Sequence, residues 1–127
     1  SVLIDLAMSV AAGVPFLGEF PVPHRMRVAV ASGESGLHTL QETAVRVAKA
    51  RGIADPGRAL KGWFHVSGTL PTLSDLTQMS EFEEALAAID ADLILIDPLY
   101  LCLGADVDEK SMFSMGNVLR SVTEIIQ

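Results

Sequence analysis

Apolar residues recur along this chain in two rhythms, one at every third or fourth position and one in short unbroken runs. Val2, Leu3, Leu6, Ala7 and Val10 fall at helical spacing and Gly13 ends the series, which predicts a helix over 2–12. Residues 13–24 hold two glycines and three prolines and read as a connection. The run 26–31 (MRVAVA) predicts a strand, and Ser32-Gly33-Glu34-Ser35-Gly36 predicts a turn. Leu37, Leu40, Ala44, Val47 and Ala48 then share one face of a helix over 37–51. Gly52 stops it, and Lys49 and Arg51 suit its negative end.

Residues 53–61 read as loop and Trp63–Val66 as a short strand. Ser80 and Glu83 have the spacing of a capping box, which predicts a helix from there to Ile89 with Phe82, Leu86 and Ile89 inward. The run 92–97 (DLILID) is four branched aliphatics bounded by acids, and Pro98 forbids its continuation. A run without alternation predicts a strand buried on both faces, as in a parallel sheet. Residues 98–108 read as loop with an apolar middle. Met112, Met115, Val118, Leu119, Val122 and Ile126 predict a last helix over 109–126. Strands alternating with helices imply β-α-β units: an α/β fold of three layers, a mostly parallel sheet flanked by helices.

Composition narrows the function classes. Half of the 127 residues are apolar and a fifth charged, which suits one globular domain and excludes a disordered chain. No apolar run is long enough to span a bilayer, and the first residues make a poor signal peptide. One cysteine, Cys102, excludes an internal disulfide and a cysteine-based zinc site, and a reducing cytoplasm is the expected setting. The net charge of −7 is uneven: residues 1–61 carry +2 and residues 62–127 carry −9. The acidic half will not seek phosphate backbones by charge alone.

Two carboxylates follow predicted strands, Glu34 after 26–31 and Asp97 at the end of 92–97. In a parallel sheet both ends lie at one rim, where open α/β sheets bind ligands. A Mg²⁺-dependent hydrolase needs such a pair, one acid for the metal's water shell and one to orient the attacking water. Glu34 also has a plain reading, an acid in a Gly-rich turn before a helix N-terminus. Other features read plainly too. His24, His38 and His65 are isolated. Trp63 and Phe64 pack rather than stack on a base, Arg46 and Lys49 lie on a solvated face, and Cys102 is buried and inert.

Three segments carry a family resemblance: SVLIDLAMSVAAGVPFLGEF at the start, VAVASGESGLHTLQETAVRVAKARGI, and LILIDPLY. Together they resemble the RecA-like P-loop ATPases of the RepA-type helicase group, also labelled AAA-family ATPases. The resemblance gives Glu34 the part of the catalytic glutamate and makes Asp97 the Walker B acid, which holds Mg²⁺ through water. It gives Ser1 and Ser35 contacts to the nucleotide, and it implies ATP and Mg²⁺, self-association into a ring and a DNA partner for the parent protein. No G-x-x-x-x-G-K-[ST] occurs here. The family pattern puts that loop just before Ser1, and puts the next strand, the sensor residue and the arginine finger beyond Gln127. Residues 1–127 are therefore expected to be a partial RecA-like domain, an internal piece of a longer ATPase and inactive alone.

Two other readings stay open. A receiver domain would use Asp97 as phosphoacceptor, although the acidic pair and the lysine it needs are missing at sensible spacing. A non-catalytic α/β interaction module would use Asp97 only to cap the turn at Pro98.

Overall fold

Val28–Ser32 forms strand β1, and each of its five residues is buried. Burial on both faces and both edges requires strands on either side and helices above and below, and the rest of the chain supplies them. The structure, a computed structural model, describes residues 2–33 and 36–102. Around β1 stand helices α1 (Val2–Ala12), α2 (Leu37–Ala50), the single turn α3 (Pro56–Ala59) and α4 (Leu76–Ile89), with strands β2 (Phe64–Ser67) and β3 (Leu93–Asp97). A 3₁₀ turn, Leu99–Cys102, follows β3.

The sheet order is β2-β1-β3 and both pairings are parallel. The register sets Val28 against Phe64 and Leu93, and Val30 against Val66 and Leu95. By strand alternation these six residues share one face. They pack with Ile4, Ala7, Met8 and Ala11 of α1 and with Leu40, Ala44 and Ala48 of α2. Fully burying a side chain such as Val28 contributes about 1.5–3 kcal/mol. The route from β1 to β2 and the route from β2 to β3 run in opposite directions across the sheet. Crossovers of one hand then place α2 and α4 on opposite faces, and Ile94 lines a cleft with Leu86 and Ala87 of α4. The result is the three-layer α/β arrangement expected from the sequence.

Polar side chains fix the layers. Asp5 of α1 accepts from Arg51 Nε at 2.8 Å and also from Arg51 Nη2, which ties α1 to the end of α2. Arg25 donates from Nε to the Ala11 carbonyl at the end of α1 and lies 3.8 Å from the centre of the Trp63 ring. At the start of the sheet, Asp92 accepts from the Arg27 amide at 3.0 Å, and Arg27 Nη1 meets Asp90 at 2.8 Å.

Several expectations need correction. In α1 the buried stripe is Ile4, Ala7, Met8 and Ala11, while Val2 is exposed and Leu3 and Leu6 are only half-buried. Leu37 of α2 is exposed, and the inward stripe there begins at Leu40. Helix α4 begins at Leu76, not at Ser80: Asp75 is its cap, accepting from the Gln78 amide at 3.0 Å. The expected inward face of Phe82, Leu86 and Ile89 is correct, with Met79 added. Strands 26–31 and 63–66 lie one or two residues later, and the loop 53–61 contains α3. Strand β3 is half-buried throughout rather than buried on both faces, because among the described residues its only strand partner is β1. The expected helix 109–126 lies outside the described residues.

Candidate functional site

Parallel strands end at one rim, so the carboxyl ends of β1, β2 and β3 gather Ser32, Ser67 and Asp97 at a common edge. Ser32 and Asp97 are direct partners in the β1–β3 ladder. The count of alternation from Val28 and Leu93 puts both side chains on the α1/α2 face. Ser32 is 5% exposed and Asp97 is half-buried. The ladder closes with the Gly33 amide donating to the Asp97 carbonyl at 3.2 Å, and the Asp97–Pro98 peptide is cis. Among the described residues no hydrogen bond or ion pair engages the Asp97 carboxylate. A half-buried acid at a strand end costs desolvation unless a partner meets it.

The order β2-β1-β3 makes the β1–β3 boundary a topological switch point, where a crevice opens beyond the strand ends. Asp97 therefore stands at the place where a doubly wound sheet takes ligands. Of the other expected site residues, Ser1, Glu34 and Ser35 lie outside the described residues. Gly33 and Gly36 flank Glu34 and Ser35 in sequence.

Close packing shapes this rim. A Cβ on Gly33 would stand 2.9 Å from Leu70 Cδ1 and 3.0 Å from Leu101 Cδ1. A Cβ on Gly68 would stand 3.0 Å from the Leu37 backbone nitrogen. The Leu73 amide donates to the Cys102 carbonyl at 2.7 Å, and both residues are buried. The loops after all three strands thus meet here. Gly68 and Leu70 escaped the sequence reading, which took Gly33 only as part of a turn and Leu101 only as part of an apolar loop. The signal that could have found the glycines is Ser-Gly standing at the end of both β1 and β2 (32–33 and 67–68).

The remaining candidates behave as ordinary residues. His24 is exposed and His38 pairs with Glu42 on α2 at 3.1 Å. His65 Nε2 is buried with no hydrogen-bond partner among the described residues. Trp63 packs against the core and carries Arg25 on its ring, so that face is not free for a base. Arg46 and Lys49 are exposed, as expected. Burial pushes the Cys102 thiol up, which keeps it from forming a thiolate. A mostly apolar cleft of about 340 Å³ between α1, α2, α3 and β2 is lined by Met8, Ala44, Leu60 and Phe64, with Gln41 and Lys61 also lining it.

The donor set at the rim suits a hard cation. A carboxylate oxygen without a counter-ion among the described residues stands beside a serine at a strand end, and Mg²⁺ takes one or two carboxylates and keeps several waters. Among the described residues no group of three or more His, Cys, Asp or Glu could hold a metal directly. No helix of the described residues is long and apolar enough to cross a membrane.

Comparison with known proteins agrees with this geometry. No curated protein and no solved structure matches the chain. The family model described as "AAA domain" matches residues 1–126, almost the whole length. The chain therefore belongs to the AAA domain family, a group of P-loop ATPases.

Proposed function

We propose that this domain is part of the ATP-hydrolysing engine of a RepA-type helicase or a related DNA-directed ATPase that assembles as a ring. The observation that carries the reading is the position of Asp97: at a topological switch point, beside Ser32, in a chain of the AAA domain family. On this reading Asp97 holds the water shell of Mg²⁺. Glu34, next to the Gly33 that follows β1, orients and polarises the attacking water. Ser1 and Ser35 contact the nucleotide. Bound Mg²⁺ supplies charge neutralisation at the phosphates, and the protein contributes positioning and fixed charge. The arginine finger would come from a neighbouring subunit.

The order 2-1-3 is also that of receiver-like doubly wound sheets, so topology alone does not separate the two classes. The family match favours the ATPase. The test is Glu34→Gln in the full-length protein. ATP binding is expected to stay within about twofold while turnover falls about 10²-fold or more, the range for loss of a general base. Undiminished turnover would remove Glu34 from its role.

A further inference from the structure

Charge is divided between the two helical layers of this domain. Residues 37–61, which hold α2 and α3, carry five Lys/Arg against two acids. Residues 62–102, which hold α4, carry seven acids and no Lys or Arg. Much of this charge is unspent. Arg46, Lys49, Arg58 and Lys61 are exposed with no ion-pair partner among the described residues, and so are Glu81, Glu83 and Glu84 of α4. Ordinary solvated surfaces intersperse the two signs.

The apolar features divide in the same way. On the α2 side, the cleft of about 340 Å³ has Leu60 and Phe64 in its lining and Lys61 beside them. Gln41 and Val45 line both this cleft and the hollow along α2 that holds Arg46 and Lys49, so cleft and cations form one groove. On the α4 side, Leu76 is 87% exposed. Glu83 and Glu84 follow it two helical turns later on the same side of α4. One layer offers an apolar pocket rimmed by cations, the other an apolar knob beside acids. The strand order puts α2 and α4 on opposite faces of the sheet, so the two cannot meet within one domain. Between copies they can meet head to tail, the heterologous contact that closes into a ring.

We propose that the groove along α2 and α3 docks the α4 face of a second copy of this chain, with Leu76 entering the cleft and Glu83 and Glu84 facing the cations around it. The inference rests on the reading of the domain as ring-forming, and it gives the ring its two surfaces. Burial of Leu76 supplies attraction. The charges steer the encounter and fix its register. A protein surface fits this groove better than nucleic acid does, because phosphates call for cations and not for an apolar floor.

The experiment follows the full-length protein by sedimentation velocity over a concentration series, with circular dichroism as the check on folding. Compared are wild type, Lys49→Glu with Lys61→Glu, Glu83→Lys with Glu84→Lys, all four changes in one chain, and Leu76→Asp. Each charge-reversed pair, and Leu76→Asp, is expected to raise the concentration for half-assembly at least about tenfold with unchanged circular dichroism. An equimolar mixture of the two reversed pairs, and the chain with all four changes, are expected to return to within about threefold of wild type, which a folding defect would not do. Wild type that stays monomeric overturns the ring reading and this inference together. Wild type that assembles, with every variant assembling equally well, overturns the inference and spares the ring. Assembly lost in the reversed pairs and recovered neither by mixing nor in the combined chain also overturns it. So does a Lys49→Glu, Lys61→Glu protein that keeps its assembly and binds single-stranded DNA about tenfold more weakly, which would give the groove to nucleic acid.

Discussion

Asp97 and Ser32 face each other across the parallel ladder between β1 and β3, and the peptide after Ser32 donates to the Asp97 carbonyl at 3.2 Å. The backbone therefore fixes the acid against the neighbouring strand, while no described side chain neutralises its carboxylate. A metal-holding acid has the same two requirements, a rigid support and an unspent charge.

Asp97→Asn keeps the shape and removes the charge. In the full-length protein it is expected to raise the Mg²⁺ concentration for half-maximal ATP turnover at least tenfold, the scale on which loss of a metal-supporting group acts. An Mg²⁺ titration of initial rates reads this directly. An unchanged midpoint would assign Asp97 to capping the turn before Pro98.

Asp75, not Ser80, caps α4, since the Gln78 amide donates to its carboxylate and α4 begins at Leu76. Asp75→Ala is expected to cost about 1 kcal/mol in urea unfolding, and the exposed Ser80→Ala less than about 0.5 kcal/mol. The reverse order would restore the later helix start.

Arg25 links three elements, donating to the carbonyls of Ala11 and Ala59 and stacking on Trp63. Arg25→Ala is expected to destabilise by about 1–2 kcal/mol, combining a cation–π contact with lost hydrogen bonds. Arg25→Lys recovers only part, because an ammonium cannot donate along a planar fork. Chemical unfolding followed by Trp63 fluorescence distinguishes the two.

Asp92 carries a pH dependence. The Arg27 amide, first, and then the Arg27 guanidinium hold its carboxyl below the usual range, against a smaller opposing effect of burial. A carboxylate whose folded value is depressed adds stability above its unfolded value, about 3.9, and loses it as pH falls through the lower folded value. Wild type is therefore expected to exceed Asp92→Asn in urea midpoint at pH 6. The gap should narrow below about pH 4 and shrink at high salt, because the pair is exposed.

The parallel α/β fold was legible because MRVAVA and DLILID can hardly be anything but strands of a covered sheet, and helices separate them. The rotation of α1 was not. Val2, Leu3, Ile4, Leu6, Ala7 and Met8 crowd the helix with apolar positions, and its two polar residues mislead about its phase: Ser9 is buried and Asp5 is half-buried against Arg51. The start of α4 was missed because Ser80…Glu83 and Asp75…Gln78 both satisfy the capping pattern. Only the tertiary setting, where Gln78 Oε1 also accepts from the Thr72 amide, selects the earlier one. At the site, Asp97 announced itself through four aliphatics. The contacts of Gly33 and Gly68 join segments more than 30 residues apart and leave only the paired Ser-Gly as a trace.

The central claim is that Glu34 and Asp97 act on one Mg·ATP at one rim. A double-mutant cycle on kcat in the full-length protein tests it, using Glu34→Gln, Asp97→Asn and the pair together. Acids serving one reacting centre are expected to be strongly non-additive, the double variant falling little below the worse single one. Losses that multiply independently, or a single variant that turns over ATP like wild type, would contradict it.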